Sequence, residues 1–101
     1  MKSFGEMVKQ AQKVQRKMAE VQEQLALERF EASSGGGIVK VVVDGKQMLK
    51  ELKISPEAFK DNDPTLLEDL ILTAVGEAQK NSETKMNEAI GAITGGFNLP
   101  F

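Results

Sequence analysis

Residues 33–46 read SSGGGIVKVVVDGK, and this run fixes where the chain changes from helix to sheet. Val39, Val41 and Val43 recur with period two in a β-branched stretch, the pattern of a strand with one buried face. Asp44-Gly45 follows at once, and an Asp-Gly pair between two strand-like runs predicts a two-residue type I′ turn, whose two central residues both need positive φ. Strands are therefore expected over about 37–43 and 46–54. Phe30 to Ser33 is a candidate third strand, with Ser33-Ser34-Gly35-Gly36-Gly37 as its flexible connection.

Upstream of this run the period is that of a helix. Phe4, Met7, Ala11, Val14, Met18, Val21 and Leu25 are spaced by three and four without a break, which is a coiled-coil seam. No Pro or Gly interrupts Glu6 to Arg29, and the residues between seam positions are mostly Gln, Lys, Glu and Ala, all favourable in helices. Downstream, Ser55-Pro56 closes the sheet, and Asp63-Pro64 supplies an N-cap acid followed by Pro at the first helical position. Leu67, Leu70, Ile71, Ala74, Val75 and Ala78 then form an apolar stripe that Met86, Ala89, Ile90 and Ile93 continue, until Gly95-Gly96 ends the helix. Gly76 and the polar patch Asn81-Ser82 read as weak points within it. The expected fold is α+β in one domain over residues 1–101: a long N-terminal helix, a small antiparallel sheet of two to three strands, and a long C-terminal helix.

With 101 residues the chain has room for a single core. Cys 0 and His 0 remove the thiolate nucleophile, the imidazole base, the disulfide and the usual zinc ligands. Glu68 with Asp69, or Asp61 with Asp63, are the only paired carboxylates worth weighing, and acids near a helix start serve its dipole. Ser33 to Gly37 lacks the Gly-Lys-Ser/Thr ending of a phosphate loop and precedes a strand. No catalytic residue, metal, cofactor or small-molecule substrate is expected. The longest apolar stretch, Leu70 to Val75 with Thr73 inside it, is far short of the about 20 residues that span a bilayer, and Glu6, Lys9 and Gln10 stand where a signal peptide needs apolar residues. No membrane association and a cytoplasmic location are expected.

The formal net charge of -2 hides a segregation along the sequence. Residues 1–19 hold Lys2, Lys9, Lys13, Arg16 and Lys17 against Glu6 alone, whereas residues 61–101 hold Lys80 and Lys85 against seven acids. A sequence pI near 5.2 argues against attraction by the whole surface, so any contact with a polyanion must be local. On the heptad of the first helix, Lys9 and Arg16 fall at f, Lys13 at c and Lys17 at g, all away from the seam. Such a ridge can run beside a phosphate backbone, with Gln10, Gln12 and Gln15 as neutral donors; equally, charges at outer heptad positions can be a solvated face. The absence of acids from residues 7–19 weighs for the ridge. Trp 0 and Tyr 0 leave no aromatic platform for stacking unpaired bases.

The two helices, roughly 40 and 45 Å at about 1.5 Å per residue, must overhang a small sheet. Leaving the seam in water forfeits on the order of 1.5 kcal/mol or more per large side chain, so a homodimer is expected. Its contacts are placed on the seam at Met7, Ala11, Val14, Met18, Val21 and Leu25, on the Val run at Val39, Val41 and Val43, or on both.

In order along the chain, MVKQAQKVQRKMAEVQEQL, SSGGGIVKVVVDGK, LKISPEAF, LLEDLILTAVGEAQ and the closing GGFNLPF resemble the YbaB/EbfC family of nucleoid-associated proteins. The resemblance covers nearly the whole chain. It implies a tweezer-like homodimer with projecting helical arms that binds double-stranded DNA in the bacterial cytoplasm, associated with the nucleoid, in nucleoid organisation and gene regulation. It also implies DNA contacts on the arms, at Lys9, Lys13, Arg16 and Lys17 first and at Lys80 and Lys85 second. The competing expectation is a protein-interaction adaptor or chaperone-like clamp whose seam receives a partner helix. No helix-turn-helix or zinc finger is present to read base edges.

Overall fold

A computed structural model describes residues 3–95, which run α1 (Phe4–Leu27), β1 (Arg29–Ser34), β2 (Val39–Asp44), β3 (Leu49–Ile54) and α2 (Pro64–Gly95), with 3-10 turns at Gly35–Gly37 and Pro56–Phe59. Gly96 and the closing segment, on which the end of the last helix and part of the resemblance rest, lie outside the described residues, as does Lys2. The third strand is present, and the sheet is antiparallel in the order β1-β2-β3.

Local chemistry sets the element ends. Ser3 Oγ accepts the Glu6 N–H at 3.2 Å and caps α1, and Asp63 Oδ1 does the same for α2 through the Leu66 N–H at 3.1 Å. α1 stops at Leu27, two residues before the expected Arg29, because Glu28 is extended and Arg29 already pairs with Asp44 in the sheet. Between β1 and β2, Gly35, Gly36 and Gly37 all have positive φ, at 60, 70 and 100°, so the run is a connection that other residues adopt only under strain.

The hairpin between β2 and β3 exists, but its turn is not type I′. Neither Asp44 nor Gly45 has positive φ; the left-handed residue is Gln47, at φ 66°. The Asp44 N–H bonds to Met48 O at 3.0 Å and the Gln47 N–H to Asp44 O at 3.1 Å, enclosing a three-residue loop, and β3 begins at Leu49 rather than at 46. The cause lies in the Asp44 carboxylate, which accepts the Lys46 and Met48 N–H groups at 2.8 and 3.0 Å and so stabilises the wider loop. A register shift between Val42 and Val43 absorbs the extra residue. Gly45 is required for a different reason, a close approach to α1.

The core lies between one face of the sheet and the first half of α2. Val39, Val41 and Val43 are essentially fully buried there, packed with Ala74 and Ala78, while Phe30, Ala32, Leu67, Leu70, Ile71 and Val75 surround them. The Ser34 hydroxyl donates to Leu70 O at 2.6 Å and holds α2 against the end of β1. Val39, Val41 and Val43 are thus core of the protomer itself, not contact surface for a second chain. The period-two pattern correctly gave them a buried face, and what covers that face is α2 of the same chain.

Beyond the sheet the two helices form an arm. Principal extents of 69 × 22 × 16 Å and a radius of gyration of 19.5 Å contrast with about 13 Å for a compact globule of this length. The helices meet at the hairpin turn, where the Gly45 N–H bonds to Leu25 O at 2.8 Å and Ser82 Oγ donates to Asp44 O at 2.7 Å. Val14, eleven residues before Leu25, and Ile93, eleven after Ser82, are both 9% exposed, so the helices run antiparallel and side by side over that length. The seam is therefore only partly free. Val14, Met18, Val21 and Leu25 are buried or half-buried in the chain's own fold, and Phe4, Met7 and Ala11 stay exposed.

Candidate nucleic-acid interface

α1 carries its basic residues away from the seam that packs on α2. At about 100° per residue, Lys9, Lys13, Arg16 and Lys17 fall within an arc of about 100°, centred about 135° from the seam. All four are exposed. From Lys9 to Lys17 the ridge rises about 12 Å, an axial length over which duplex DNA carries about seven phosphate charges. Gln12, Gln15, Arg16 and Ala19 border an open depression beside the ridge, placing two neutral donors next to the guanidinium. Apart from Glu6 at its first turn, the acids of α1 are Glu20 and Glu23, beyond the ridge towards the sheet. No acid lies between Lys9 and Lys17 in the sequence, and Glu6 and Glu20 each stand three residues from an end of the ridge.

Lys80 and Lys85 lie on α2, not on the helix that carries this ridge. Ser82 faces the hairpin turn, and Lys80 stands about 160° around α2 from it. Both lysines are exposed, with Glu77, Glu83 and Glu88 within three to five residues along the same helix. Spacings of three and four pair such charges on a helix surface. The second pair of expected contacts, about 140° apart around α2, therefore stands among acids rather than on one basic face.

At the base of the arm lies a buried polar cluster that the sequence reading passed over. Asp44 is 4% and Ser82 0% exposed. Burial on its own raises the Asp44 carboxyl, but the Met48 and Lys46 N–H groups, Lys50 (Nζ 3.7 Å from Oδ2) and Arg29 together outweigh it, and the group is held below its ordinary value. A signal for Ser82 was present: Ala74, Ala78, Ser82 and Met86 are spaced by four, so the serine occupies a position of the apolar stripe. A polar residue at a core position predicts a specific buried partner. Among the described residues no three acids converge as a metal site, and no helix is long and apolar enough to cross a membrane.

Comparison with known proteins agrees with this architecture. The model of the YbaB/EbfC DNA-binding family matches residues 1–97. A nucleoid-associated protein of Caldanaerobacter subterraneus is 41% identical over 98 residues, covering 97% of this chain and 88% of that protein. Another, from Acetivibrio thermocellus, is 46% identical over 95 residues, covering 94% of this chain and 84% of that one. In shape the chain is similar to an uncharacterized protein of Helicobacter pylori, with a TM-score of 0.81 over 87% of this chain and 92% of that one. At 18% identity this last likeness speaks for the fold alone.

Proposed function

The chain belongs to the YbaB/EbfC DNA-binding family, and we propose that it binds double-stranded DNA as a homodimer, through phosphate contacts from Lys9, Lys13, Arg16 and Lys17 on the outer face of α1. Its setting is the bacterial nucleoid, the association that the names of its relatives state, and a contribution to nucleoid organisation and gene regulation is part of this proposal. The observation that carries the reading is the exposed basic ridge, free of acids along its length, on an arm that projects from the sheet. Phosphate contacts of this kind position a protein on the duplex without reading its sequence. The adaptor reading loses its main support, because half of the seam that was to receive a partner helix is covered by α2 of the same chain.

The dimer contact proposed is on the sheet. α2 packs against β1 and β2, and on β3 the residues opposite Val43 and Val41 are Leu49 and Leu52, which are 44% and 43% exposed. Leu72 on the flank of α2 is 70% exposed. Together with the unpaired outer edge of β3 these leucines form a strip that an identical strip covers in an isologous dimer.

The test is a duplex titration followed by anisotropy at several salt concentrations. If each arm of a dimer neutralises three or four phosphates, log affinity against log salt has a slope of about -5 to -7, at roughly 0.9 per phosphate. Replacing Lys9, Lys13, Arg16 and Lys17 together by Glu abolishes binding and leaves the dimer intact. A quadruple variant that stays dimeric and binds duplex as tightly as the parent overturns the assignment.

A further inference from the structure

Asp44 and Gly45, adjacent in the chain, bond to three elements at once. The Asp44 N–H donates to Met48 O at 3.0 Å, its carbonyl accepts from the Gln47 N–H at 3.1 Å and from Ser82 Oγ at 2.7 Å, and its carboxylate accepts the Lys46 and Met48 N–H groups. The next peptide donates the Gly45 N–H to Leu25 O at 2.8 Å. One of these bonds holds the end of α1, another holds the middle of α2, and the rest stiffen the turn that carries both. The cluster is closed to water, with Asp44 4% and Ser82 0% exposed. A built Cβ on Gly45 would overlap the Leu25 carbonyl oxygen, so helix and turn are in backbone contact. These bonds fasten the arm helices to the hairpin turn, with an exposed one from Gln79 Nε2 of α2 to Gln47 O at 3.2 Å beside them.

Leverage makes this fastening matter for binding. Lys9 is sixteen residues from Leu25, about 24 Å along α1, so a tilt of about 10° at the joint moves its backbone by about 4 Å. A charge-assisted hydrogen bond to a phosphate oxygen is made at about 2.7–2.9 Å and does not survive such a displacement. A rigid duplex presents its phosphates at fixed positions, so the arm must present its cations at fixed positions too.

We infer that Asp44, Gly45 and Ser82 form a fixed joint that sets the direction of the arm, and that Ser82 is a positioning residue for duplex binding although its side chain is wholly buried and touches no ligand. The inference rests on the assignment of DNA contacts to α1. Ser82→Ala removes one hydroxyl and leaves a good helix former, so the variant folds, and the ridge is untouched.

The chain has no cysteine, so Gln12→Cys on α1 and Glu31→Cys on β1, both exposed, provide one pair of spin-label sites, measured in labelled chains diluted with unlabelled protein. With Ser82 present the distance distribution is narrow, and with Ser82→Ala it broadens. Duplex affinity falls about tenfold, the equivalent of one contact to a charged group. Affinity for a single-stranded oligonucleotide stays within about twofold, because a flexible strand follows a displaced arm. An unchanged distribution overturns the inference, and so does an equal loss of affinity for both nucleic acids, which would mark a general destabilisation. Failure of the parent protein to bind duplex would refute the DNA assignment, and the distance measurement would still decide whether the joint fixes the arm.

Discussion

Gly45→Ala is the substitution whose cost the structure sets most directly. A Cβ at this position would overlap the Leu25 carbonyl oxygen and stand 2.6 Å from the carbonyl carbon, where real Cβ atoms essentially never come closer than 3.0 Å. Leu25 Cβ also stands 2.5 Å away, and all three atoms are fixed by the backbone of α1, so no rotamer change relieves the overlap and the end of α1 must move away by about 1 Å. That displacement takes the Gly45 N–H to Leu25 O bond from 2.8 Å to beyond hydrogen-bonding range. A buried donor left unsatisfied costs about 1–3 kcal/mol, and forcing an extra methyl into a packed site costs about 1–3 kcal/mol more. A loss of about 4 kcal/mol is expected, and at about 4–8 °C per kcal/mol for a domain of this size Tm falls by more than about 15 °C. The assay is thermal unfolding followed by circular dichroism at a fixed protomer concentration, since dimerisation makes Tm concentration-dependent. Gly76→Ala is the control. Its Cβ meets nothing within 4 Å in an exposed helical position, so it stabilises by about 0.5–1 kcal/mol. A Gly45→Ala protein that melts within about 4 °C of the parent refutes the close approach and the joint built on it.

Leu52→Asp and Leu72→Asp each convert the dimer to monomer in sedimentation velocity, whereas Met7→Glu at the exposed end of the seam leaves it dimeric; the opposite pattern moves the interface to the helices. Single alanine changes at Lys9, Lys13, Arg16 or Lys17 each flatten the salt slope by about one and weaken binding to unrelated duplexes alike, as anisotropy reads directly. Asp44→Asn keeps the shape of the turn and removes its charge. Because the folded carboxyl is held below its ordinary value of 3.8, its charge adds stability at pH values above that figure, and the contribution is lost as pH falls through the lower folded value. Urea unfolding therefore finds the variant less stable than the parent at pH 7, with a gap that narrows as pH falls below 3.8, and a gap that does not narrow there contradicts the electrostatic origin.

The elements were legible because their periods differ. The three-and-four spacing from Phe4 to Leu25, the period-two Val run and the stripe from Leu67 to Ala78 each match only one kind of structure, and all three elements stand where their patterns put them. What was not legible is what each pattern packs against. The Val run announces a buried face but not that α2, thirty residues on, covers it, and the seam announces a partner helix but not that half of it is met within the chain. The Asp-Gly pair misled for a local reason. It is a strong turn signal, yet its glycine serves tertiary contact with Leu25 and not a positive φ, and the aspartate carboxylate draws two further N–H groups into a longer loop. The placement of the basic residues was legible, since heptad positions alone put Lys9, Lys13, Arg16 and Lys17 on the side away from the seam, where all four are exposed.

The packing of the arm also accounts for how an acidic protein offers a basic surface. Of the acids of the C-terminal half, Glu83 and Glu88 lie on the stretch of α2 that runs along the seam side of α1, so α1 stands between them and anything that approaches the ridge from outside. At about 10 Å the Debye length in 0.1 M salt equals the spacing of packed helices, and the field of Glu83 and Glu88 is largely screened at the far face of α1. Removing salt lengthens that screening distance and lets the α2 acids oppose the ridge. Two effects of ionic strength consequently compete: counterion release favours binding at low salt, and repulsion from α2 grows there. Counterion release acts on every phosphate contact directly, so it dominates, but the plot of log affinity against log salt should bend below its straight line when the Debye length reaches about 30 Å at 0.01 M. Glu83→Gln with Glu88→Gln straightens the plot if the acids cause the bend. A plot that is straight for the parent, down to the lowest salt, would place both acids beyond electrostatic reach of the bound duplex.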